Sequence, residues 1–169
     1  MLHVALYQPQ IPPNTGNIAR HCVGVDAMLH LIGPFAFDIS SKAVRRAGLD
    51  YWEHLNLQTH ESPDDFVDWL DGREPWLVTK FGVHRYDQPA YAQDDVLLFG
   101  SELTGLPDAW LKRWQHRTVY LPILGHIRSF NLANTASIVL SHACLVAGVY
   151  DTFPANRPEV IDTKLDSIS

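Results

Sequence analysis

Short apolar runs rich in β-forming residues alternate with helix-forming segments along most of the chain, and this alternation restricts the folds open to it. Strands joined through helices need crossover connections, which make the strands parallel and place the helices over the sheet. The run VLLF, residues 96–99, is apolar throughout, as expected of a central strand buried on both faces. The sequence therefore predicts an α/β fold with a mainly parallel sheet and helices on both faces. Six strands are predicted, at HVALY, LHLIG, HLNLQ, PWLVTKF, DVLLFG and RTVYLPIL.

Capping residues indicate where the helices begin. Asn14 or Thr15 is expected to cap the first helix, and Ser40 or Ser41 the second, because short polar side chains accept hydrogen bonds from the free amides of a first turn. The last helix is expected to run from about residue 131 to 149. The other predicted helical segments are PPNTGNIARHCVGV, SSKAVRRAGL, SPDDFVDWLDG and PDAWLKRWQ.

Length and composition fit one compact domain. The chain has 169 residues, of which 46% are hydrophobic, enough for a single core. We expect one domain over residues 1–150 and a poorly ordered tail over residues 151–169, which is polar and contains proline. No apolar run approaches the length that spans a bilayer, and the N-terminus lacks a signal-peptide pattern. Cys22 and Cys144 are isolated, which is typical of a reduced, cytoplasmic protein.

Charge and motif content argue against several classes of function. No phosphate-binding motif of the GxGxxG or GxxxxGK[ST] type occurs, and no histidine or cysteine set has zinc-site spacing, so no metal is expected. The net charge is −6 and the isoelectric point is about 5.8, whereas nucleic-acid binders are usually basic. A local basic patch on an acidic body remains compatible with RNA binding.

Four loops that follow predicted strands carry unusual residues, and ligands of open α/β sheets bind beyond the carboxyl ends of strands. In FGSELTGLP, Gly100 and Gly105 permit backbone conformations that other residues resist, and Glu102 lies between them. This loop is either a tight turn with a solvated carboxylate or a loop that brings main-chain groups against a ligand. The other three loops are PQIPPNTGNIAR, TKFG and LPILGHIRSFN.

Two segments carry cations that fit either a binding role or a solvated surface. Arg20 ends the segment NTGNIAR. It either contributes to a binding site for an anion or a hydroxyl group, or it is a surface residue exposed to water. Lys42, Arg45 and Arg46 crowd one predicted helix shortly before Tyr51. Basic residues beside an aromatic ring can hold a phosphate and stack a base, although a lone charge cluster is usually a solvated helix face.

The last predicted helix opens with a polar cluster that a core helix does not need. Arg128, Ser129, Asn131 and Asn134 precede or begin it, and small residues follow at helical spacing. The polar residues place amides and hydroxyls where a ligand beyond the sixth strand would lie. The small residues allow another helix to approach closely.

Taken together, these segments resemble the motifs of the SPOUT-class RNA methyltransferases, in the order of that family. NTGNIAR is similar to the first motif, FGSELTGLP to the second and LPILGHIRSFNLANTASIVL to the third. The likeness covers residues 1 to about 150. IPPNTGNIAR together with RRAGLDYW is similar to the small tRNA 2′-O-methyltransferases that act on the wobble nucleotide, cytidine or uridine at position 34.

The resemblance implies a fold, a cofactor and an assembly. It implies a C-terminal trefoil knot, S-adenosyl-L-methionine as methyl donor, and a homodimer with shared active sites. The implied activity is methyl transfer to a ribose 2′-hydroxyl in the anticodon loop of tRNA, in the cytoplasm and with no membrane or metal partner. Methylation of another tRNA position or of ribosomal RNA, and a non-catalytic cofactor- or RNA-binding module, are the alternatives. The residues implied for the cofactor are Leu77, Gly100, Glu102, Leu121 and Ser129.

The same resemblance implies roles for the cations and for the start of the last helix. Arg20 is implied as the group that activates or orients the ribose hydroxyl, and it acts electrostatically because a guanidinium stays charged. Arg128 and Asn131 complete the catalytic set by holding the loop or the substrate. Contacts to RNA are expected from Lys42, Arg45, Arg46 and Tyr51.

Overall fold

A sheet of seven strands lies at the centre of the computed structural model, which describes residues 1–35, 37 and 50–152. The strands are β1 (His3–Tyr7), β2 (Met28–Ile32), β3 (Leu57–His60), β4 (Trp76–Val78), β5 (His84–Arg85), β6 (Val96–Phe99) and β7 (Thr118–Tyr120). They lie in the order β3-β2-β1-β6-β4-β7-β5, and every neighbouring pair is parallel. The predicted parallel sheet is confirmed.

Helices cover both faces of the sheet, as predicted. They are α1 (Pro12–Gly24), α2 (Pro63–Leu70), α3 (Asp108–Arg113) and α4 (Leu132–Val146), with 3-10 turns at Asp50–His54, Gln115–Arg117 and Val149–Thr152. All four residues of β6 are buried, because Leu97 and Phe99 pack with α1 and α4 while Val96 and Leu98 pack with α2 and α3. β6 therefore has the central place that its apolar sequence indicates.

Some predictions fall on parts of the chain that are not described. The helix predicted for residues 40–49 and the tail beyond residue 152 lie outside the described residues. Within the described ranges, no helix has both the length and the apolar character needed to cross a membrane.

The starts of two helices are capped differently, and the start of α1 tests a capping prediction. Before α2, the Ser62 hydroxyl accepts a hydrogen bond from the Asp65 amide, and the Asp65 carboxylate accepts one from the Ser62 amide. The predicted cap of α1 is wrong, because that helix begins at Pro12 and the preceding Ile11 provides no side-chain cap. Proline fixes the backbone for a first turn and starts the helix earlier than expected. Asn14 consequently lies inside α1, and its side chain bonds elsewhere.

Strand bounds differ from the prediction in several places; the fourth strand, for example, is predicted over residues 75–81, but β4 runs only from Trp76 to Val78. The third strand is predicted at residues 54–58 but runs from Leu57 to His60. β7 ends at Tyr120, because Pro122 lacks the amide that would continue the ladder, so the rest of the predicted strand forms a loop. β5 is not predicted, since a strand of two residues is too short to show an alternation of apolar and polar side chains.

The connection between β4 and β5 crosses over β7. β7 lies between those two strands in the sheet, although it comes later in the chain. A Cβ atom on Gly82 would lie 2.3 Å from the Val119 carbonyl carbon and 2.6 Å from the Tyr120 amide nitrogen. Glycine is therefore required where the connection passes the backbone of β7.

Three histidines form a hydrogen-bonded line across β1, β2 and β3. His3 Nδ1 lies 2.9 Å from His30 Nε2, and His30 Nδ1 lies 3.0 Å from His60 Nε2. His30 and His60 are buried, and the Trp69 indole packs 4.1 Å from the His30 ring centroid. Burial, reinforced by the two neighbouring imidazoles and Arg73, lowers the pKa of His30 from 6.5 to about 3. Burial also lowers the pKa of His3 and of His60, so the line is uncharged near pH 7.

Candidate functional site

The loops that follow β1, β6, β4 and β7 meet at one edge of the sheet. These four strands are consecutive neighbours and run parallel, so their carboxyl ends share that edge. The loops are residues 8–11, 100–107, 79–83 and 121–131. They are the four loops that the sequence singles out.

Glu102, in the loop after β6, holds the start of α1. Its carboxylate accepts hydrogen bonds from the Gln10 amide at 2.9 Å, the Ile11 amide at 3.2 Å and the Asn14 side-chain amide at 3.0 Å. Partial burial raises the pKa of Glu102, but the hydrogen bonds from Asn14 and from backbone amides outweigh it, so the pKa lies below its usual value. Glu102 is therefore an ionised acceptor near pH 7 and has no proton to donate.

Asn14 extends this connection to the last helix. Its side-chain oxygen accepts a hydrogen bond from the Asn131 side-chain amide at 2.9 Å. The Asn131 side-chain oxygen accepts from the Ala133 and Asn134 amides at 2.8 and 3.3 Å, which caps α4. We call the set Glu102, Asn14 and Asn131 the Glu102 network. It joins the loop after β6, the start of α1 and the start of α4.

Gly100 and Gly105 close the loop after β6 on itself. Ser101 and Gly105 exchange two backbone hydrogen bonds of 3.2 and 2.9 Å, and Gly105 has a φ of +73°. A Cβ atom on Gly100 would lie 2.4 Å from the Gly105 carbonyl carbon. The close approach that requires glycine at position 100 is thus made by the loop's own backbone, whereas the sequence alone leads us to expect a ligand there.

The other residues predicted for a cofactor or for catalysis lie in different environments. Leu77 lies on β4 and its side chain is fully buried in the core, so only its backbone is available to a ligand. Leu121 is half-buried directly after β7. Arg128 and Ser129 are exposed in the loop before α4. Asn131, in contrast, is held by the Glu102 network.

The loop over residues 121–130 combines apolar side chains with unused backbone groups. Within the described ranges, its amides and carbonyls make no hydrogen bond to other backbone groups. Leu124 is fully exposed, and Ile127 and Phe130 are 53% and 37% exposed. Apolar side chains beside available donors and acceptors are the usual lining of a small-molecule site.

Arg20 lies with Tyr51 at a pocket between α1 and α4. Its guanidinium carbon is 4.8 Å from the Tyr51 ring centroid, and the Tyr51 hydroxyl donates to the Gly16 carbonyl at 2.7 Å. The ring therefore holds the cation in place through a cation–π contact while α1 holds the ring. The pocket has a volume of about 400 Å³ and is lined by Asn17, Arg20, His21, Ala133, Asn134 and Ser137.

The residues predicted to bind RNA are only partly covered by the structure. Tyr51 is half-buried beside Arg20, as described above. Lys42, Arg45 and Arg46 lie outside the described residues.

Two residues that build the site are not predicted from the sequence. Gln10 contributes only its backbone amide to Glu102. A contact made by the backbone does not depend on the type of side chain, so the sequence does not indicate it. Asn14 is interpreted as a cap, although it follows the prolines at positions 12 and 13 that already start the helix. A polar residue buried inside a helix that needs no cap is the signal that could have indicated its role.

The described residues offer no alternative metal or thiol chemistry. No group of histidine, cysteine, aspartate or glutamate side chains in those ranges has the geometry to hold a metal ion. Cys22 and Cys144 are buried free thiols. Burial raises the pKa of Cys22 to about 12, which makes it a poor nucleophile.

Comparison with known proteins places the chain in a class of RNA-modifying enzymes. Residues 1–141 match the SpoU rRNA Methylase family, a span that contains all the strands described above and reaches into α4. The chain belongs to the SpoU methylase family. The resemblance to RNA methyltransferases is thereby confirmed.

Curated relatives point to one activity within that class. The chain is 46% identical over 144 residues to a Listeria monocytogenes protein that carries the provisional name tRNA (cytidine(34)-2′-O)-methyltransferase, and the match covers 83% of this chain and 85% of the relative. It is 41% identical over 145 residues to the tRNA (cytidine(34)-2′-O)-methyltransferase of Methylovorus glucosotrophus, with 85% and 94% covered.

Solved structures share the fold. One that concerns 2-OH methylation of C/U34 on tRNA is 40% identical with a TM-score of 0.78, and the match covers 85% of this chain and 93% of the other. The SpoU methyltransferase AviRb from Streptomyces viridochromogenes, in complex with the cofactor AdoMet, is 28% identical with a TM-score of 0.70. That match covers 85% of this chain and 59% of the other.

Proposed function

We propose that this chain transfers a methyl group from S-adenosyl-L-methionine to the ribose 2′-hydroxyl of the wobble nucleotide, C or U at position 34, in the anticodon loop of tRNA. The observation that carries the proposal is the Glu102 network, which joins the three motif-bearing segments at one edge of the sheet. The names of relatives at 41–46% identity support the choice of nucleotide.

The activity is tested by incubating the protein with bulk tRNA and tritium-labelled S-adenosyl-L-methionine, followed by nuclease digestion and mass spectrometry. We expect label in tRNA and a 2′-O-methylated nucleotide at position 34. Methylation at another tRNA position, or in ribosomal RNA alone, contradicts the proposed substrate. Label in neither RNA indicates a non-catalytic binding module and contradicts the proposal as a whole.

The cofactor fits the loops at the carboxyl edge of β7, β4 and β6. Leu121 and Ser129 lie near the two ends of the loop that presents apolar side chains and unused backbone groups. Leu77 and Gly100 lie on β4 and directly after β6, the next two strands of the sheet. Glu102 contributes by fixing the loop that contains it. Bound there, the cofactor supplies a methyl group on a positively charged sulfur.

Arg20 activates the ribose hydroxyl in this proposal. A fixed guanidinium stabilises the negative charge that develops on the attacking oxygen without changing its own protonation. The contact with Tyr51 preorganises the guanidinium for that task. Asn131 keeps the start of α4 in position, and Arg128, exposed in the preceding loop, holds the substrate.

Gly100→Val is expected to lower the affinity for S-adenosyl-L-methionine by roughly 5- to 150-fold, because forcing a side chain into a packed site costs on the order of 1–3 kcal/mol. The added side chain would displace the turn at Gly105. Calorimetric titration measures the affinity, and circular dichroism is expected to show unchanged helix content because the clash is confined to a loop. Gly24→Val is the matched control, since no atom beyond its own helix backbone and chain neighbours lies within 4 Å of its Cβ position. An unchanged affinity for the Gly100 variant contradicts this placement of the cofactor.

We extend the proposal to topology and location. A C-terminal trefoil knot is supported by the crossing at Gly82, where the connection between β4 and β5 passes against the backbone of β7. Residues 1–150 form a single methyltransferase domain. A tRNA substrate and isolated free cysteines support a cytoplasmic location.

RNA contacts complete the proposal. Lys42, Arg45 and Arg46 supply local positive charge that an acidic protein needs for binding phosphates. Tyr51 lies beside Arg20 and so adjoins the proposed reaction site. The assignment of the three cations rests on the sequence alone.

The protein is expected to be a homodimer associated through α4. Ile138, Leu145 and Val146 expose 40%, 66% and 42% of their surfaces on this helix, which otherwise presents small residues. Sedimentation at micromolar concentration is expected to show a species of twice 19.1 kDa. Leu145→Glu is expected to shift it toward the monomer, whereas Leu103→Glu is the control, because Leu103 is even more exposed, at 80%, and lies outside the helix. A parent protein that sediments only at 19.1 kDa contradicts the dimer.

A further inference from the structure

We propose that Lys80 and Phe81, in the connection between β4 and β5, form an additional RNA contact in which the Phe81 ring stacks on an unpaired base and Lys80 binds a phosphate. The inference rests on the proposed function, since it gives that reaction a further hold on its RNA substrate. Neither residue belongs to the Glu102 network or lines the pocket at Arg20.

The Phe81 side chain is exposed on a backbone that is fixed. Phe81 exposes 75% of its surface. On one side of it, the Thr79 amide donates to the Val119 carbonyl at 2.9 Å, and on the other the Val83 amide donates to Thr118 Oγ1 at 3.0 Å. A ring carried on fixed backbone loses little conformational freedom when it binds, so the connection is preorganised for stacking.

The surroundings of Phe81 give it no structural task in the described part of the chain. It belongs to neither of the two buried clusters, and its ring contacts no other aromatic ring there. Lys80 Nζ lies 5.0 Å from the Phe81 ring centroid, and Lys80 forms no ion pair within the described ranges. The ammonium therefore lies over the exposed ring and is not paired with any carboxylate of the described residues.

This pair lies where bound RNA would pass. β4 lies between β6 and β7, and the loops after those two strands hold the proposed cofactor site. RNA whose ribose reaches the proposed cofactor site at this edge brings its neighbouring nucleotides toward the loop that carries Lys80 and Phe81.

The chemistry of the pair selects single-stranded RNA. An unpaired base offers a flat aromatic face, and the adjoining phosphate offers a negative charge at short range. Every base has such a face, so the contact adds affinity for a loop without reading its sequence. Double-stranded RNA keeps its bases stacked on one another and cannot use the ring.

The test compares RNA binding by the full-length parent and its Phe81→Ala, Phe81→Tyr, Val83→Ala and Lys80→Ala variants. The probes are a fluorescein-labelled anticodon stem-loop RNA and the duplex of its stem alone, both measured by fluorescence anisotropy. Val83→Ala is the matched control, because Val83 is 56% exposed in the same connection but cannot stack.

Phe81→Ala is expected to weaken stem-loop binding by roughly 5- to 100-fold, the range that stacking of one base on an aromatic ring provides, and to leave duplex binding unchanged. Phe81→Tyr is expected to restore binding, and Val83→Ala to match the parent. Lys80→Ala is expected to flatten the salt dependence by about one unit.

Three results overturn the inference. Equal stem-loop binding by Phe81→Ala and the parent removes the stacking role. A loss of calorimetric affinity for S-adenosyl-L-methionine assigns the ring to the cofactor instead, and a change in sedimentation assigns it to a partner subunit. A parent protein that neither binds nor methylates tRNA refutes the proposed function itself, and so the two failures are distinguishable.

Discussion

Arg20→Ala is expected to slow methyl transfer by roughly 10²- to 10³-fold while leaving the affinity for S-adenosyl-L-methionine intact, by analogy with the loss of one preorganised donor from an active site. The rate falls because, among the described residues that line the pocket, no other offers a fixed positive charge to the developing oxyanion. Cofactor binding is spared because its contacts are assigned to β4 and to the loops after β6 and β7.

The shape of the guanidinium matters as well as its charge. Arg20→Lys is expected to restore little activity, since a flexible point charge reproduces neither the planar fork nor its stacking on Tyr51. Single-turnover methylation of tRNA with saturating cofactor measures the chemical step directly.

Arg113→Ala is the control for the loss of an exposed arginine. Arg113 also stacks on an aromatic ring, with its guanidinium carbon 4.7 Å from the Trp114 centroid, but it ends α3 away from the carboxyl edge of the sheet. Its removal is expected to leave the rate unchanged. A single-turnover rate for Arg20→Ala within a few-fold of the parent means that Arg20 is not the activator, and Arg128 is then the next residue to test.

The second large effect is a loss of stability in acid. The pKa of His30 is 6.5 when solvated and about 3 in the folded protein, because burial and the neighbouring imidazoles disfavour its charge. Below pH 6.5 the unfolded chain therefore binds a proton at His30 that the folded chain does not bind. The free energy of unfolding falls as the pH is lowered below 6.5. The contribution of His30 is fully present above that pH. It declines by about 1.4 kcal/mol per pH unit, to a total of about 5 kcal/mol near pH 3.

Urea unfolding between pH 8 and pH 4 measures this loss, and the steep decline is expected to start below about pH 6.5, the ordinary pKa of histidine. His3 and His60 add to it, because their folded pKa values are also lowered. His30→Leu is expected to reduce the slope by about one proton, or about 1.4 kcal/mol per pH unit. His54→Gln is the control, since His54 is exposed outside the line. A parent protein equally stable at pH 7 and pH 5 contradicts the prediction.

The sequence predicts those parts of the fold that depend on local pattern. Four consecutive apolar residues place β6 at the centre of the sheet, because a strand buried on both faces needs apolar side chains on both. The segment SPDDFVDWLDG is predicted as a helix, and α2 forms within it at Pro63–Leu70, starting with acidic residues that the positive end of a helix favours.

The parts that the sequence does not predict depend on distant contacts. Asn14 follows the local rule for a cap, but hydrogen bonds to Glu102 and Asn131, 88 and 117 positions away, take its side chain. β5 exists because two residues pair with β7. Gly100 is recognisable as a required glycine, yet only the folded loop reveals that Gly105 is what approaches it.

The crossing at Gly82 has a consequence for how the chain is made. In the described sheet β5 pairs only with β7, so it has no neighbour until residues 118–120 have left the ribosome. The segments N-terminal to them can begin to fold during synthesis, but completing the sheet is a long-range docking event, which is intrinsically slow. That step also brings in the loop proposed to line the cofactor site. A prematurely terminated chain that stops before β7 is therefore expected to be both incompletely folded and unable to bind the methyl donor, so it cannot compete with finished enzyme for the cofactor.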